Sequence, residues 1–97
     1  MKTKEEAIAI LSEHKEHLRE KYKVNKISLF GSLIRGEQAK SSDIDVLVDL
    51  GEGADLFDLI GPALYLEEKL GQKVDVVPKR ALREEIRDSV LKELIPV

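Results

Sequence analysis

The sequence predicts an α/β fold: a small mixed β-sheet of three to four strands with helices packed on one side. Apolar residues recur at helical spacing near both ends of the chain, and short β-prone runs between them stop at glycine or proline. Segments that alternate in this way are typical of helices packed on a sheet. The chain has 97 residues, so we expect one domain, spanning 1–97.

The first half of the chain predicts a helix followed by two strands. Thr3, with a glutamate three residues later, has the spacing of a capping box, and apolar residues at helical spacing then continue to about residue 22. A strand that ends at Gly31 should follow, because its apolar and polar residues alternate. The elements predicted here are a helix over 4–22, a strand over 26–30, a short helix over 33–39 and a strand over 44–50.

The second half predicts a helix, a strand and a final helix. Asp55 can cap a helix, but Pro62 lies inside it and removes a backbone hydrogen bond, so we expect either a bend or a new start at Pro62. Gly71 suits the left-handed stop of this helix. The remaining predicted elements are a strand over 72–77 and a helix with the apolar stripe Leu82, Ile86, Val90 and Leu94.

Composition excludes several kinds of site. The chain has no cysteine, which rules out disulfides and thiolate metal sites, and its net charge of −3 argues against a surface dedicated to nucleic acid. Only four aromatic side chains are present, too few for base-stacking platforms. We see no apolar run of the roughly 20 residues that a membrane span needs and no signal peptide, so we expect a cytoplasmic protein without direct contact to nucleic acid.

Alternating carboxylates at the start of the second strand are the main functional feature. Asp43 and Asp45 should share one face of that strand, where they would repel by about 4 kcal/mol at ~4 Å and an effective dielectric near ~20. Mg²⁺ takes oxygen ligands and shares them with substrate phosphates, so such an ion between them would relieve this repulsion. Asp75, on the third strand, can face the same cavity. The three carboxylates therefore indicate phosphoryl or nucleotidyl transfer with two metal ions.

A glycine-serine turn precedes the carboxylates. Gly31 lets a phosphate chain approach the backbone closely, and the Ser32 hydroxyl can donate to phosphate oxygens at the start of the predicted short helix. Structural alternatives exist for each residue taken singly: Asp43 could cap a turn, Asp75 could lie on a solvated sheet face, and the Gly-Ser pair could be an ordinary strand-to-helix turn. It is their combination that favours a nucleotide site.

The spacing of Gly31-Ser32, ten further residues and Asp43-Ile44-Asp45 resembles the polymerase-β-type nucleotidyltransferase superfamily, and within it the minimal nucleotidyltransferase (MNT) proteins of prokaryotes. The resemblance extends over essentially the full chain. It implies a nucleotidyltransferase-like fold. It also implies that three aspartates act in catalysis and bind two Mg²⁺ ions, and that a second group of residues binds the nucleotide. The implied residues are Asp43, Asp45 and Asp75 for metal and catalysis, and Gly31, Ser32, Arg35 and Ser42 for the nucleotide.

Two of these nucleotide ligands have other plausible roles. Arg35 follows Ser32 by three residues, on the same side of a short helix, and its planar fork suits phosphate oxygens. It could instead pair with Glu37 at the surface. Ser42 could simply shape the turn before the second strand.

The resemblance also implies a reaction and a partner. Many MNT proteins are antitoxins encoded beside a helical HEPN-type ribonuclease toxin, and the implied reaction transfers AMP from ATP to a tyrosine hydroxyl of the toxin. The short chain leaves little room for an acceptor wall, so we expect a second polypeptide or a second copy to complete it. Two alternatives stay open: an antitoxin that neutralises its toxin by binding alone, with the stripe from Leu82 to Leu94 as its docking face, and a small-molecule nucleotidyltransferase.

Structural roles account for the remaining polar residues of interest. His14 and His17 lie three residues apart on the first helix and could hold a metal, but a solvated helix face is the simpler interpretation. Asp49 should be a strand-end or turn residue. The basic stretch after Pro78, which includes Arg83, has interleaved acids and is interpreted as a charge-balanced exposed helix.

Overall fold

The computed structural model describes residues 3–31, 43–53 and 59–97. Within these ranges the chain forms three α-helices, four β-strands and one 3₁₀ turn. The elements are α1 (Lys4–Tyr22), β1 (Val24–Phe30), β2 (Ile44–Leu50), α2 (Ile60–Leu70), β3 (Val74–Pro78), the 3₁₀ turn (Lys79–Ala81), α3 (Glu84–Glu93) and β4 (Ile95–Pro96). The helix predicted over 33–39 and the cap predicted at Asp55 lie outside the described residues. No helix in the described ranges is both long enough and apolar enough to cross a bilayer.

Helix α1 begins with the predicted capping box. The Glu6 backbone N–H donates to the Thr3 hydroxyl at 3.1 Å, and the Thr3 backbone N–H donates to Glu6 Oε1 at 3.1 Å. These bonds satisfy donors that have no partner within the first helical turn. The helix ends at Lys23, which adopts a left-handed conformation with φ 60°. The predicted bounds of 4–22 are confirmed.

Helix α2 shows how Pro62 is accommodated. Its described part begins at Ile60, so Pro62 lies in the first turn, where a backbone N–H would have no helical partner. The first bond of the helical ladder runs from the Ala63 N–H to the Leu59 carbonyl, at 3.0 Å. Of the two predicted outcomes, the structure shows a helical start next to the proline. Gly71 ends the helix with φ 71°, as predicted.

The sheet has the order β3-β2-β1-β4 and is mixed. Strand β2 pairs in parallel with β3, while β1 pairs antiparallel with both β2 and β4. The parallel pair is connected through α2, as parallel strands need a crossover. Strand β4 is two residues long and pairs Ile95 with Leu29. The predicted fold class, a small mixed sheet with helices, is confirmed.

The two faces of the sheet differ. On one face, Ile44, Val46 and Val48 of β2 are buried against the apolar sides of α1 and α2. Burying one such side chain stabilises the fold by about 1.5–3 kcal/mol. The opposite face holds a smaller cluster in which Leu47 packs with Leu82 and Val90. The predicted placement of the helices on one side is therefore wrong for α3, which lies over the other face because Leu82 and Val90 pack on Leu47 there.

Candidate active site

A row of side chains crosses three neighbouring strands at one end of the sheet. Phe30 of β1 pairs with Asp45 of β2, and Asp45 pairs with Asp75 of β3. Directly paired residues point to the same face, and neighbouring strands lie about 4.8 Å apart. Asp45 is half-buried and Asp75 is exposed. The register therefore places these two carboxylates side by side, on the face that α3 covers.

Gly31 lies beside Asp45, directly after β1. Its φ is +85°, a left-handed conformation that L side chains rarely adopt, and a Cβ built on it would lie 2.9 Å from the Asp45 Cγ atom. Both the conformation and the space next to Asp45 therefore require glycine. The turn brings the main chain of residue 31 into direct contact with the carboxylate, a close approach of the kind that a phosphate-binding turn needs.

A cavity of about 470 Å³ opens over this row of residues. Its floor is the sheet face, formed by Phe30, Gly31, Asp45, Asp75 and Val77. Its opposite wall is the segment that follows β3. The wall residues are Ala81, Leu82, Arg83, Ile86, Ser89, Val90 and Glu93. The cavity therefore combines two paired carboxylates and a glycine turn with a mostly apolar wall, an arrangement typical of ligand sites.

The predicted site residues are only partly brought together by the structure. Asp45, Asp75 and Gly31 line the same cavity, whereas Asp43, exposed and directly before β2, is not among its lining residues. In the part of the chain that the structure describes, no three histidine or acidic side chains cluster as a metal site would require. Ser32, Arg35 and Ser42 lie outside the described residues. Their assignment to the nucleotide stays a prediction.

The carboxylates suit a hard divalent cation. Asp45 and Asp75 offer oxygen atoms from adjacent, paired positions of two strands. Mg²⁺ is commonly bound through one or two carboxylates, with water and substrate phosphates as its remaining ligands. Two paired aspartates open to a cavity therefore fit this ion without a closed cage of protein ligands.

Sequence reasoning missed the wall contributed by α3. Ile86, Ser89, Val90 and Glu93 line the cavity and are spaced i, i+3, i+4, i+7, the spacing of one helix face. The apolar stripe from Leu82 to Leu94 follows a strict four-residue step and includes only part of this face. Arg83, interpreted from the sequence as a residue of an exposed helix, also lines the cavity. The i, i+3, i+4, i+7 spacing could have identified this wall from the sequence, because it includes the polar residues Ser89 and Glu93 as well as the apolar ones.

The two histidines of α1 make contacts within the helical layer. His14 Nδ1 shares a hydrogen bond of 2.7 Å with the Tyr65 hydroxyl of α2, and the His17 ring stacks on the Tyr65 ring with centroids 4.6 Å apart. These contacts join α1 to α2. They give both histidines a packing role, whereas the sequence predicted a solvated helix face; only His17 is exposed, and His14 is half-buried.

Comparison with known proteins places the chain among nucleotidyltransferases. The family model described as nucleotidyltransferase domain matches residues 11–97. The protein adenylyltransferase MntA of Thermococcus cleftensis is 44% identical over 97 residues, which cover 100% of this chain and 98% of MntA.

Two solved structures share the fold. One, described as a minimal nucleotidyltransferase, is 38% identical with a TM-score of 0.73. The match covers 94% of this chain and 88% of the other chain. The other, a toxin–antitoxin with AMP-PNP, is 27% identical with a TM-score of 0.67. That match covers 92% of this chain and 67% of the other chain.

Proposed function

This chain belongs to the nucleotidyltransferase-domain family and is a nucleotidyltransferase, and from that premise we propose that it is an antitoxin that transfers AMP from ATP to a hydroxyl of a partner protein. The relative named protein adenylyltransferase spans the whole chain, and a toxin–antitoxin structure with an ATP analogue shares its fold. The partner we propose is a HEPN-type toxin, and the acceptor is a tyrosine of that toxin.

One observation supports this function above the others: Asp45 and Asp75 are paired across β2 and β3 and face one cavity beside Gly31. Nucleotidyl transfer needs a place for the phosphate chain, carboxylates near the reacting phosphorus and access for the acceptor. The glycine turn, the aspartate pair and the open cavity supply these three in spatial order across the sheet.

We propose one role for each site residue, and for Ser32, Arg35 and Ser42 the proposal rests on the family resemblance alone. Gly31 and Ser32 bind the β- and γ-phosphates through the turn, and Arg35 and Ser42 complete the nucleotide contacts. Asp75 accepts the proton of the acceptor hydroxyl, whose oxygen forms a bond to the α-phosphorus of ATP. The bond between that phosphorus and the bridging oxygen to the β-phosphate breaks, and pyrophosphate leaves with the electron pair. The products are AMP joined to the acceptor, pyrophosphate and one proton.

Mg²⁺ is the ion we assign to the carboxylates, with two ions expected. Asp45 and Asp75 would hold it from the floor of the cavity, and Asp43 is proposed as a third ligand on the basis of its alternation with Asp45. The bound ion would supply charge neutralisation for the phosphate oxygens. Asp45 therefore acts as a ligand, while Asp75 combines that role with proton transfer.

A labelling experiment with a paired variant tests the proposal. The native chain and the Asp43→Asn/Asp45→Asn variant are each incubated with α-³²P-ATP, Mg²⁺ and a candidate HEPN-type partner. We expect label on the partner with the native chain only, and mass spectrometry should locate AMP on a tyrosine. The variant should keep its circular dichroism spectrum and melt no earlier than the native chain, because it removes neighbouring like charges.

The same experiment separates the alternatives. If both forms of the chain neutralise the toxin and neither labels it, the protein is an antitoxin that acts by binding alone. Label on a small hydroxyl compound such as an aminoglycoside, and none on protein, would favour the small-molecule enzyme. Unfolding of the variant would contradict the placement of these aspartates in a site.

A further inference from the structure

Strand order determines the path that helix α3, which forms much of the cavity wall, takes across the sheet. Helix α3 starts after the 3₁₀ turn that directly follows β3, the edge strand on one side of the sheet. It ends one residue before β4, the edge strand on the other side. Its 10 residues span about 15 Å, and three strand spacings amount to about 14 Å. Helix α3 therefore crosses the sheet diagonally: it starts beyond Pro78, at the end of β3 away from Asp75, and it ends next to Ile95, which pairs with Leu29 of β1.

The reacting groups have an order along the same direction. Gly31 follows β1, Asp45 lies on β2 and Asp75 on β3. In phosphoryl transfer the attacking and leaving oxygens lie roughly in line on opposite sides of phosphorus. If pyrophosphate leaves toward Gly31, the acceptor hydroxyl must approach from the side of Asp75. This step rests on the proposed function.

Two side chains at the start of α3 are placed to meet that acceptor. Ile86 lines the cavity and is 41% exposed, although Val90, one turn later on the same face, is buried. Arg83 is the only cation among the described residues that line the cavity. Within the described ranges it forms no ion pair with an acidic side chain. An exposed apolar side chain beside an available guanidinium matches a ligand with an apolar body and a nearby negative charge.

We propose that the start of α3 is the acceptor-binding wall of the active site. Ile86 packs on the apolar part of the partner side chain that carries the hydroxyl, and Arg83 binds a carboxylate close to that side chain on the partner. The acceptor class is therefore a protein hydroxyl on a ring or other apolar frame, next to an acidic residue. Both are positioning residues, since neither takes part in bond formation.

Leu91 provides a matched control for Ile86. It lies on the same helix and is 38% exposed, but it lines a different cavity, together with Lys15, Lys26 and Lys79. Ile86→Ala and Leu91→Ala thus remove similar apolar side chains from one helix at nearly equal exposure, without adding a charge to either cavity. A general effect on folding or solubility should affect both variants, whereas an effect on the acceptor should affect only Ile86→Ala.

The experiment uses the full chain and the candidate HEPN-type partner of the labelling experiment. We expect Ile86→Ala to raise KM for the partner protein about tenfold and to leave KM for ATP within about twofold, because only acceptor binding loses a contact. Leu91→Ala should change neither constant. Arg83→Gln should raise the partner KM by a similar factor, and Arg83→Lys should recover part of it. A rise in the ATP KM alone, or equal effects of Ile86→Ala and Leu91→Ala, would overturn the proposal.

A binding measurement distinguishes failure of this inference from failure of the proposed function. Calorimetric titration of the partner into the chain without ATP should show about tenfold weaker binding for Ile86→Ala than for Leu91→Ala. If the native chain transfers no label but this difference in affinity is found, the start of α3 binds the partner and the proposed transfer reaction is wrong. If the two variants bind the partner equally and the native chain transfers label, the transfer reaction stands and the acceptor-binding role of α3 is wrong.

Discussion

At the scale of single residues, the contact between Gly31 and Asp45 links local backbone conformation to the site. Gly31 has φ +85°, and the Asp45 carboxylate occupies the space that a side chain at position 31 would need. Gly71 has a similar φ of +71°, yet a Cβ there would meet nothing within 4 Å. Both glycines therefore have the left-handed backbone, but only at Gly31 would a side chain also crowd the Asp45 carboxylate.

Substituting alanine at each glycine should give different outcomes. Gly71→Ala should lower the free energy of unfolding by about 1–2 kcal/mol, the usual cost of a left-handed L residue. Gly31→Ala should cost more than this and should also lower transfer activity, since Asp45 must move. Urea denaturation and the labelling reaction measure both effects. Equal stability losses with normal activity for Gly31→Ala would contradict the proposed contact.

At the scale of elements, helix ends and helix paths have different origins. The ends follow from local chemistry: Thr3 and Glu6 cap α1, and Gly71 stops α2. The path of α3 follows from its neighbours, because β3 precedes it at one edge of the sheet and β4 follows it at the other. Local signals therefore say where a helix begins or ends, but its direction across the sheet depends on strand order.

The capping box of α1 gives a prediction for a local signal. Thr3→Ala removes the acceptor for the Glu6 N–H and should lower the free energy of unfolding by about 1 kcal/mol. Ser12→Ala, at an exposed position inside the same helix, should be neutral or slightly stabilising because alanine favours helix. Chemical denaturation of both variants measures the difference. The idea fails if the two substitutions have the same effect.

At the scale of the whole molecule, one sheet serves two different purposes. The face of β2 that carries Ile44, Val46 and Val48 packs on α1 and α2 and forms the larger core. The opposite face carries Asp45, with Leu47 two residues later in the smaller core below α3. The site is thus built on a strand whose other face is fully buried, so ligand binding should be coupled to the stability of the whole domain.

A thermal melt should detect this coupling. AMP-PNP with Mg²⁺ at ten times its Kd should stabilise the native chain by about 1.4 kcal/mol. For a domain of this size that corresponds to about 6–11 °C in Tm. Asp45→Asn should show a smaller shift under identical conditions, and EDTA should reduce the shift of the native chain. A shift of equal size in the variant would argue against Asp45 as a ligand of the nucleotide–metal complex.

The sequence by itself determined the elements whose signals are local. The capping box gave α1, alternating residues gave β1 and β2, and the same alternation predicted that Asp45 would lie opposite the buried face that includes Val46. The roles of all seven site residues remain predictions: Gly31, Ser32, Arg35, Ser42, Asp43, Asp45 and Asp75.

Only the tertiary structure decided how distant segments combine. Strand β4 has two residues and no pattern of its own; it exists because β1 offers it an edge. The side-by-side position of Asp45 and Asp75 depends on the parallel register of β2 and β3, and the entry of Arg83 and Ile86 into the cavity depends on the path of α3 across the sheet. Periodicity reports which side of an element is apolar, but pairing between strands and packing between layers decide which side chains meet.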